Sequence, residues 1–137
     1  MTAITFFVPG SPRPQGSKRA FTNPKTGGVI LTESAGAPLK DWRTSVAVVA
    51  QSHFDTPRTD PVVVSIRFVL RRPKTLPKRV QHHVKRPDID KLARAVLDAL
   101  TGTAIHDDSQ VYCLDLTKAY GATTGAHISI GWDEETT

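Results

Sequence analysis

This chain of 137 residues has one cysteine and one methionine. Cys113 alone forms no internal disulfide, so packing and hydrogen bonds must hold the fold. A reducing, cytoplasmic setting suits that composition. No apolar run approaches 18 residues, which excludes a membrane-spanning helix by sequence. The opening MTAITFFVPGSPRP lacks the charged start and long apolar middle of a secretory leader. His82 and His83 have no Cys or His partner at zinc spacing, so they are expected to be exposed or to face a polyanion rather than to bind metal. Internal repeats and low-complexity tracts are also missing.

Acidic residues are scarce where basic ones gather. Residues 71–94 carry nine Lys/Arg against two acids within a chain of net charge +5. A smaller basic block, Arg13, Lys18, Arg19 and Lys25, lies in the first 31 residues, which hold no acid. Clustered positive charge is the footprint of a polyanion such as nucleic acid. A solvated charge run kept for solubility has the same composition.

The length predicts one domain, residues 1–137, with residues 132–137 a frayed acidic tail. Residues 4–10 read as a short buried strand. A hairpin pairing 20–22 with 29–32, or a flexible loop, follows around the Asn-Pro and Gly-Gly turn signals. Residues 38–54 predict a helix with Leu39, Trp42, Val46, Val49 and Ala50 on one face. In residues 61–72 Val62, Val64, Ile66, Phe68 and Leu70 alternate, as in a strand. Residues 73–87, with three prolines, read as a long basic loop containing at most a short helical turn. Such loops are usually functional or disordered. Residues 88–101 form the clearest helix, ended by Gly102. Residues 111–120 and 126–132 predict strands joined as a hairpin by GATTG. Mixed strands with two main helices make the fold class α+β. Cys113 is expected in the core and His106 in a turn, and Phe21 either stacks on a base or packs on the body.

The helix at 88–101 puts Ile89, Leu92, Ala93, Val96, Leu97, Ala99 and Leu100 on one face and Asp90, Lys91, Arg94 and Asp98 on the other. Asp88 and Asp90 stand at its first turn, where capping and the helix dipole account for them without chemistry. Asp90 and Arg94, four apart, can pair. A second pair, Asp107 and Asp108, precedes the strand at 111, where an Asx turn is the bland explanation. Two aspartate pairs beside a basic belt also suit Mg²⁺, which takes hard oxygen ligands.

The run RPDIDKLARAVLDALTG, followed by AIHDDSQV, resembles the RusA-type Holliday junction resolvases, a family common in bacteria and their phages. The likeness extends from PGSPRPQGSKRAF to the last strands. It implies a small mixed α/β subunit acting as a homodimer: a Mg²⁺-dependent endodeoxyribonuclease, with Mn²⁺ as a substitute metal, that nicks four-way DNA junctions in recombination and repair. By this resemblance the metal-binding carboxylates match Asp88, Asp90 and Asp108, with Asp107 the fallback. The resemblance also implies that acids of both subunits lie close across the dimer. Many members carry Asn and Lys where this chain has Lys91 and Arg94. Arg94 keeps the charge without being a proton donor at neutral pH, so it reads as a phosphate clamp, and Lys91 is the other candidate catalytic cation. Arg13, Lys18, Arg19, Arg71, Arg72, Lys74, Lys78, Arg79, Lys85 and Arg86 are the expected contacts to DNA backbone. The alternative is a structure-selective DNA-binding protein that keeps the scaffold without the chemistry.

Overall fold

Strict alternation along VVVSIRFVL commits one strand to the centre of a sheet, and the computed structural model is built around it. The structure describes residues 1–16, 18–22, 25–33 and 36–134, with the side chains of 18–22 and 29–33 outside the description. In chain order the elements are β1 (Thr2–Pro9), β2 (Lys18–Thr22), β3 (Val29–Glu33), α1 (Gly36–Gln51), β4 (Val62–Leu70), α2 (Ile89–Leu100), a 3-10 turn (Asp108–Gln110), β5 (Val111–Tyr120) and β6 (Gly125–Trp132). The order matches the α+β reading. Of the two alternatives for this stretch, the hairpin is the one formed, by β2 and β3 with Thr22 opposite Val29.

The main sheet has four strands in the order β1-β6-β4-β5. Its inner face supplies Phe6, Val8, Val64, Ile66, Phe68, Ile128 and Ile130 to one core with Leu39, Trp42 and Val46 of α1 and Leu92, Val96 and Leu100 of α2. Each such side chain taken from water contributes roughly 1.5–3 kcal/mol. Ala95 of α2 is buried as well. The outer face bears polar groups instead, among them Thr5, Ser65, Arg67, Thr117 and His127.

The expected hairpin between the last two strands does not form. β5 runs parallel to β4, whereas β6 is antiparallel and lies on the other side of β4, between it and β1. The GATTG turn therefore passes over the end of β4, where Gly121 N–H donates to the Leu70 carbonyl at 3.0 Å. Its glycines serve that crossing. A Cβ on Gly121 would meet Val69 Cγ1 at 2.5 Å, and one on Gly125 (φ +150°) would meet the Val8 carbonyl oxygen at 2.2 Å. β4 holds the centre because its residues are apolar and β-branched on one face and only partly polar on the other.

Two smaller expectations also change. Cys113 is exposed, because β5 is an edge strand paired on one side only. Trp132 belongs to β6 and is buried, beneath the Arg58 guanidinium at 3.8 Å from its ring centroid. Arg58 is also clasped to Asp60 through two hydrogen bonds of 2.9 and 2.8 Å.

Candidate active site

The β4–loop–α2–β5 segment forms a parallel crossover, and its geometry fixes where the acids lie. α2 starts where the long loop ends. Its apolar face anchors it, so its first turn is held firmly while its polar side meets solvent. Asp88 occupies the N-cap position with extended backbone (φ −68°, ψ 137°), yet its side chain makes no capping hydrogen bond. Its backbone carbonyl accepts from Leu92 N–H at 3.1 Å, while the carboxylate stands half-exposed with Lys91 Nζ 3.9 Å away. Capping therefore does not account for this aspartate. Asp90 is exposed at the first turn. Its expected ion pair with Arg94 is not among those formed by the described residues, and Lys91 is the cation beside the acids.

The second pair divides by role. Asp107 accepts a hydrogen bond from Ser109 N–H at 3.0 Å, and its own N–H donates to Gln110 Oε1 at 2.7 Å. The Ser109 hydrogen bonds hold the Asp107 carboxyl below the ordinary carboxylate range. Gln110 Nε2 then donates to the Arg58 and Asp60 carbonyls, both at 2.8 Å. Asp107 is thus part of a structural cap, whereas Asp108 beside it is exposed, and its carboxylate makes no hydrogen bond or ion pair among the described residues.

One subunit does not bring all these acids together. α2 spans about 18 Å at 1.5 Å per residue, and β5 runs back along it. Near the far end of β5, Lys118 Nζ donates to the carbonyls of Lys85 and Pro87, next to Asp88. Asp108 precedes β5 and so sits at the opposite end of the helix. Among the described residues no three His, Cys, Asp or Glu side chains form a metal-holding group. Asp88 and Asp90 nevertheless fit Mg²⁺ chemically. Their carboxylates are hard oxygen donors that make no hydrogen bond among the described residues, and Mg²⁺ is commonly held by one or two carboxylates plus waters and substrate phosphate.

The basic surroundings are ordered around this turn. Gln15 N–H donates to the Lys91 carbonyl at 3.0 Å, and Arg43 Nη1 donates to Gln15 Oε1 at 3.3 Å. The N-terminal SPRPQ segment is thereby pinned to the start of α2. Arg13 is exposed, as are Arg71, Lys74, Lys78, Arg79, Lys85, Arg86 and Arg94. Arg72 differs, since its two terminal nitrogens donate to the Val80 and Pro77 carbonyls at 2.7 Å each and brace the loop from inside. The side chains of Lys18, Arg19 and Phe21 lie outside the described residues.

Sequence reasoning missed Lys118 and misplaced His83. Lys118 shares the inward alternation of Leu114 and Leu116, a position at which a lysine signals a specific partner. His83, expected at the surface, is only 8% exposed and stacks on Tyr120 with ring centroids 4.5 Å apart. Burial, reinforced by Lys118, pushes its pKa below the ordinary histidine value of 6.5. The loop residues around it gave no periodicity from which that burial was readable.

Among curated proteins, the chain is similar to the uncharacterized protein YqaN of Bacillus subtilis (strain 168), 29% identical over 141 residues, which cover 95% of this chain and 96% of that protein. The model of the endodeoxyribonuclease RusA family matches residues 9–131. That span takes in the pinned N-terminal segment, the basic loop, both aspartate pairs, β4, β5 and all but the last residue of β6, while β1 lies before it except for Pro9; the chain belongs to the RusA endodeoxyribonuclease family.

Proposed function

We propose that this protein is a Mg²⁺-dependent endodeoxyribonuclease that resolves four-way DNA junctions as a homodimer. The observation that carries this reading is Asp88: an aspartate at a helix N-cap that does no capping, exposed beside Asp90 in the most basic part of the chain. When bound, Mg²⁺ supplies a polarised water and offsets charge on the reacting phosphate. Asp88 and Asp90 hold it from one subunit. Lys91 balances their charge, Arg94 clamps a phosphate oxygen, and the exposed cations of the loop and of the N-terminal segment grip the DNA backbone.

The edge strand supports a dimer that completes the ligand set. β5 has an unpaired edge with Tyr112 59% and Leu114 40% exposed, a surface that soluble proteins normally cover or blunt. If two copies pair antiparallel about residues 113–115 of β5, Asp108 of one comes beside residues 118–122 of the other. That is the end of the strand where Lys118 holds the loop next to Asp88. The third carboxylate then arrives from the second copy, and the dimer has two equivalent sites, as paired nicking of a symmetric junction requires.

A non-catalytic junction-binding protein is the second reading, favoured because the described residues of one subunit bring no third ligand to Asp88 and Asp90. Incubation with a synthetic four-way junction and Mg²⁺ separates the two. The nuclease reading expects symmetry-related nicks in opposite strands, and Asp90→Asn that binds the junction but cuts at least about a hundredfold more slowly. Intact junctions with wild-type protein, or unchanged cutting by Asp90→Asn, would overturn it.

A further inference from the structure

A second recess lies immediately upstream of Asp88. It is a cavity of about 250 Å³ between the ends of β4 and β5 and the last residues of the long loop. Its lining divides by chemistry. His83 and Tyr120 are stacked aromatic rings, Pro87 adds an apolar wall, and Arg71, Lys85 and Arg86 bring three cations. The loop that shapes it is braced. Arg72 spans two loop carbonyls with its guanidinium 5.5 Å from the Tyr120 ring, and Lys118 ties Lys85 and Pro87 to β5.

One polar atom here has no hydrogen-bond partner among the described residues. His83 is nine-tenths buried, and its Nδ1 makes no hydrogen bond. Leaving a polar group buried and unpaired costs about 1–3 kcal/mol, so a residue that lines the recess and carries one points to something that docks there. The imidazole is held towards its neutral form by burial and by Lys118. In that form its two nitrogens are one donor and one acceptor. Rings, a neutral donor–acceptor group and surrounding cations are what an unstacked nucleotide needs: a face for the base, a group for its edge, and charge for its phosphate.

From this lining we infer that the recess beside the stacked His83 and Tyr120 rings receives a single DNA base, unstacked at the branch point and adjacent to the phosphate presented to Asp88 and Asp90. It rests on the reading of this face as a junction-binding surface and adds a base-reading element to it. Backbone cations alone carry no sequence information; an enclosed base does. His83 is therefore a specificity-determining residue, and the protein discriminates among junctions by the base beside its crossover.

A binding cycle without metal tests the inference separately from the chemistry. Junction affinity is measured in EDTA for wild type and His83→Phe, each with an intact junction and with junctions carrying one abasic site at successive positions around the crossover. The expected result is one position at which losing the base weakens wild-type binding by about fivefold or more but barely affects His83→Phe. If His83→Phe does not fold, Tyr120→Leu, at a half-buried strand end, gives the same test. Equal loss in wild type and variant, or no sensitive position, overturns the inference. Cleavage is scored in parallel with Mg²⁺. Uncut junctions with an intact binding cycle would overturn the nuclease reading while supporting the base pocket, and failure of wild type to bind junctions would overturn both.

Discussion

Adjacent residues with the same side chain carry different duties here. Asp107 is committed to Ser109 and, through Gln110, to the carbonyls at the start of β4, while Asp108 beside it is uncommitted. Asp108→Asn is therefore expected to reduce nicking at least about a hundredfold with an unchanged melting temperature. Asp107→Asn should lower the melting temperature while retaining most of the nicking rate. Reversal of these outcomes would mean that the fallback residue is the ligand. His83 gives a second residue-scale expectation. Its pKa is lowered on folding, so below pH about 6.5 the unfolded chain takes up a proton that the folded chain refuses. The contribution to stability is complete above that pH. It fades as pH falls from 6.5 through the folded value and then levels off. Urea unfolding from pH 7.5 to 5 should show this acid-side loss in wild type and a shallower one in His83→Phe.

At the scale of elements, the crossing at the end of β4 depends on glycine. Gly121 passes against Val69 with no room for a Cβ, so Gly121→Ala must displace the turn or the valine. A cost of about 1–3 kcal/mol is expected, read as a lower denaturation midpoint with an unchanged slope; a cost below about 0.5 kcal/mol would show the turn to be free to move. This crossing also marks where sequence reading ran out. Local pattern placed the elements well: the four-residue recurrence of Leu92, Val96 and Leu100 marked α2, and the alternation from Val62 to Phe68 marked β4. Pairing is non-local, and GATTG between two strands has the composition of a hairpin turn whether its strands touch or enclose a third. Cys113 and His83 were misjudged for related reasons, since edge position and loop burial depend on which strands are neighbours. In the candidate site the aspartates were legible as residues, but the free side chain of Asp88, the cap on Asp107 and the separation of the two pairs required the coordinates.

For the whole molecule, the unpaired edge of β5 and the division of acids between the two ends of α2 point the same way. Cys113 stands exposed near the middle of that edge. In an antiparallel pairing of two copies it lies opposite its counterpart or within a few positions of it. A short bismaleimide should link wild-type protein into a covalent dimer in high yield and leave Cys113→Ser unlinked. A protein that sediments as a monomer at micromolar concentration, with no linked species, would rule the arrangement out. Charge is distributed consistently with this, because the net charge of +5 is concentrated on the loop and N-terminal segment rather than along β5.

The strand order has a consequence for how the protein is made. Every ladder in the four-stranded sheet, β1 with β6, β4 with β5 and β4 with β6, includes one of the two strands encoded last. Chains commonly fold from the N-terminus as they are synthesised, at about 5–20 residues per second. Here β1 and β4 emerge without partners and wait for residues 111–132 before any part of the sheet can close. A ribosome stalled before that point holds helices and a small hairpin but no sheet, and neither wall of the crossover that presents Asp88. Assembly waits until residues 111–132 have emerged, and a message truncated before them yields no partly working product.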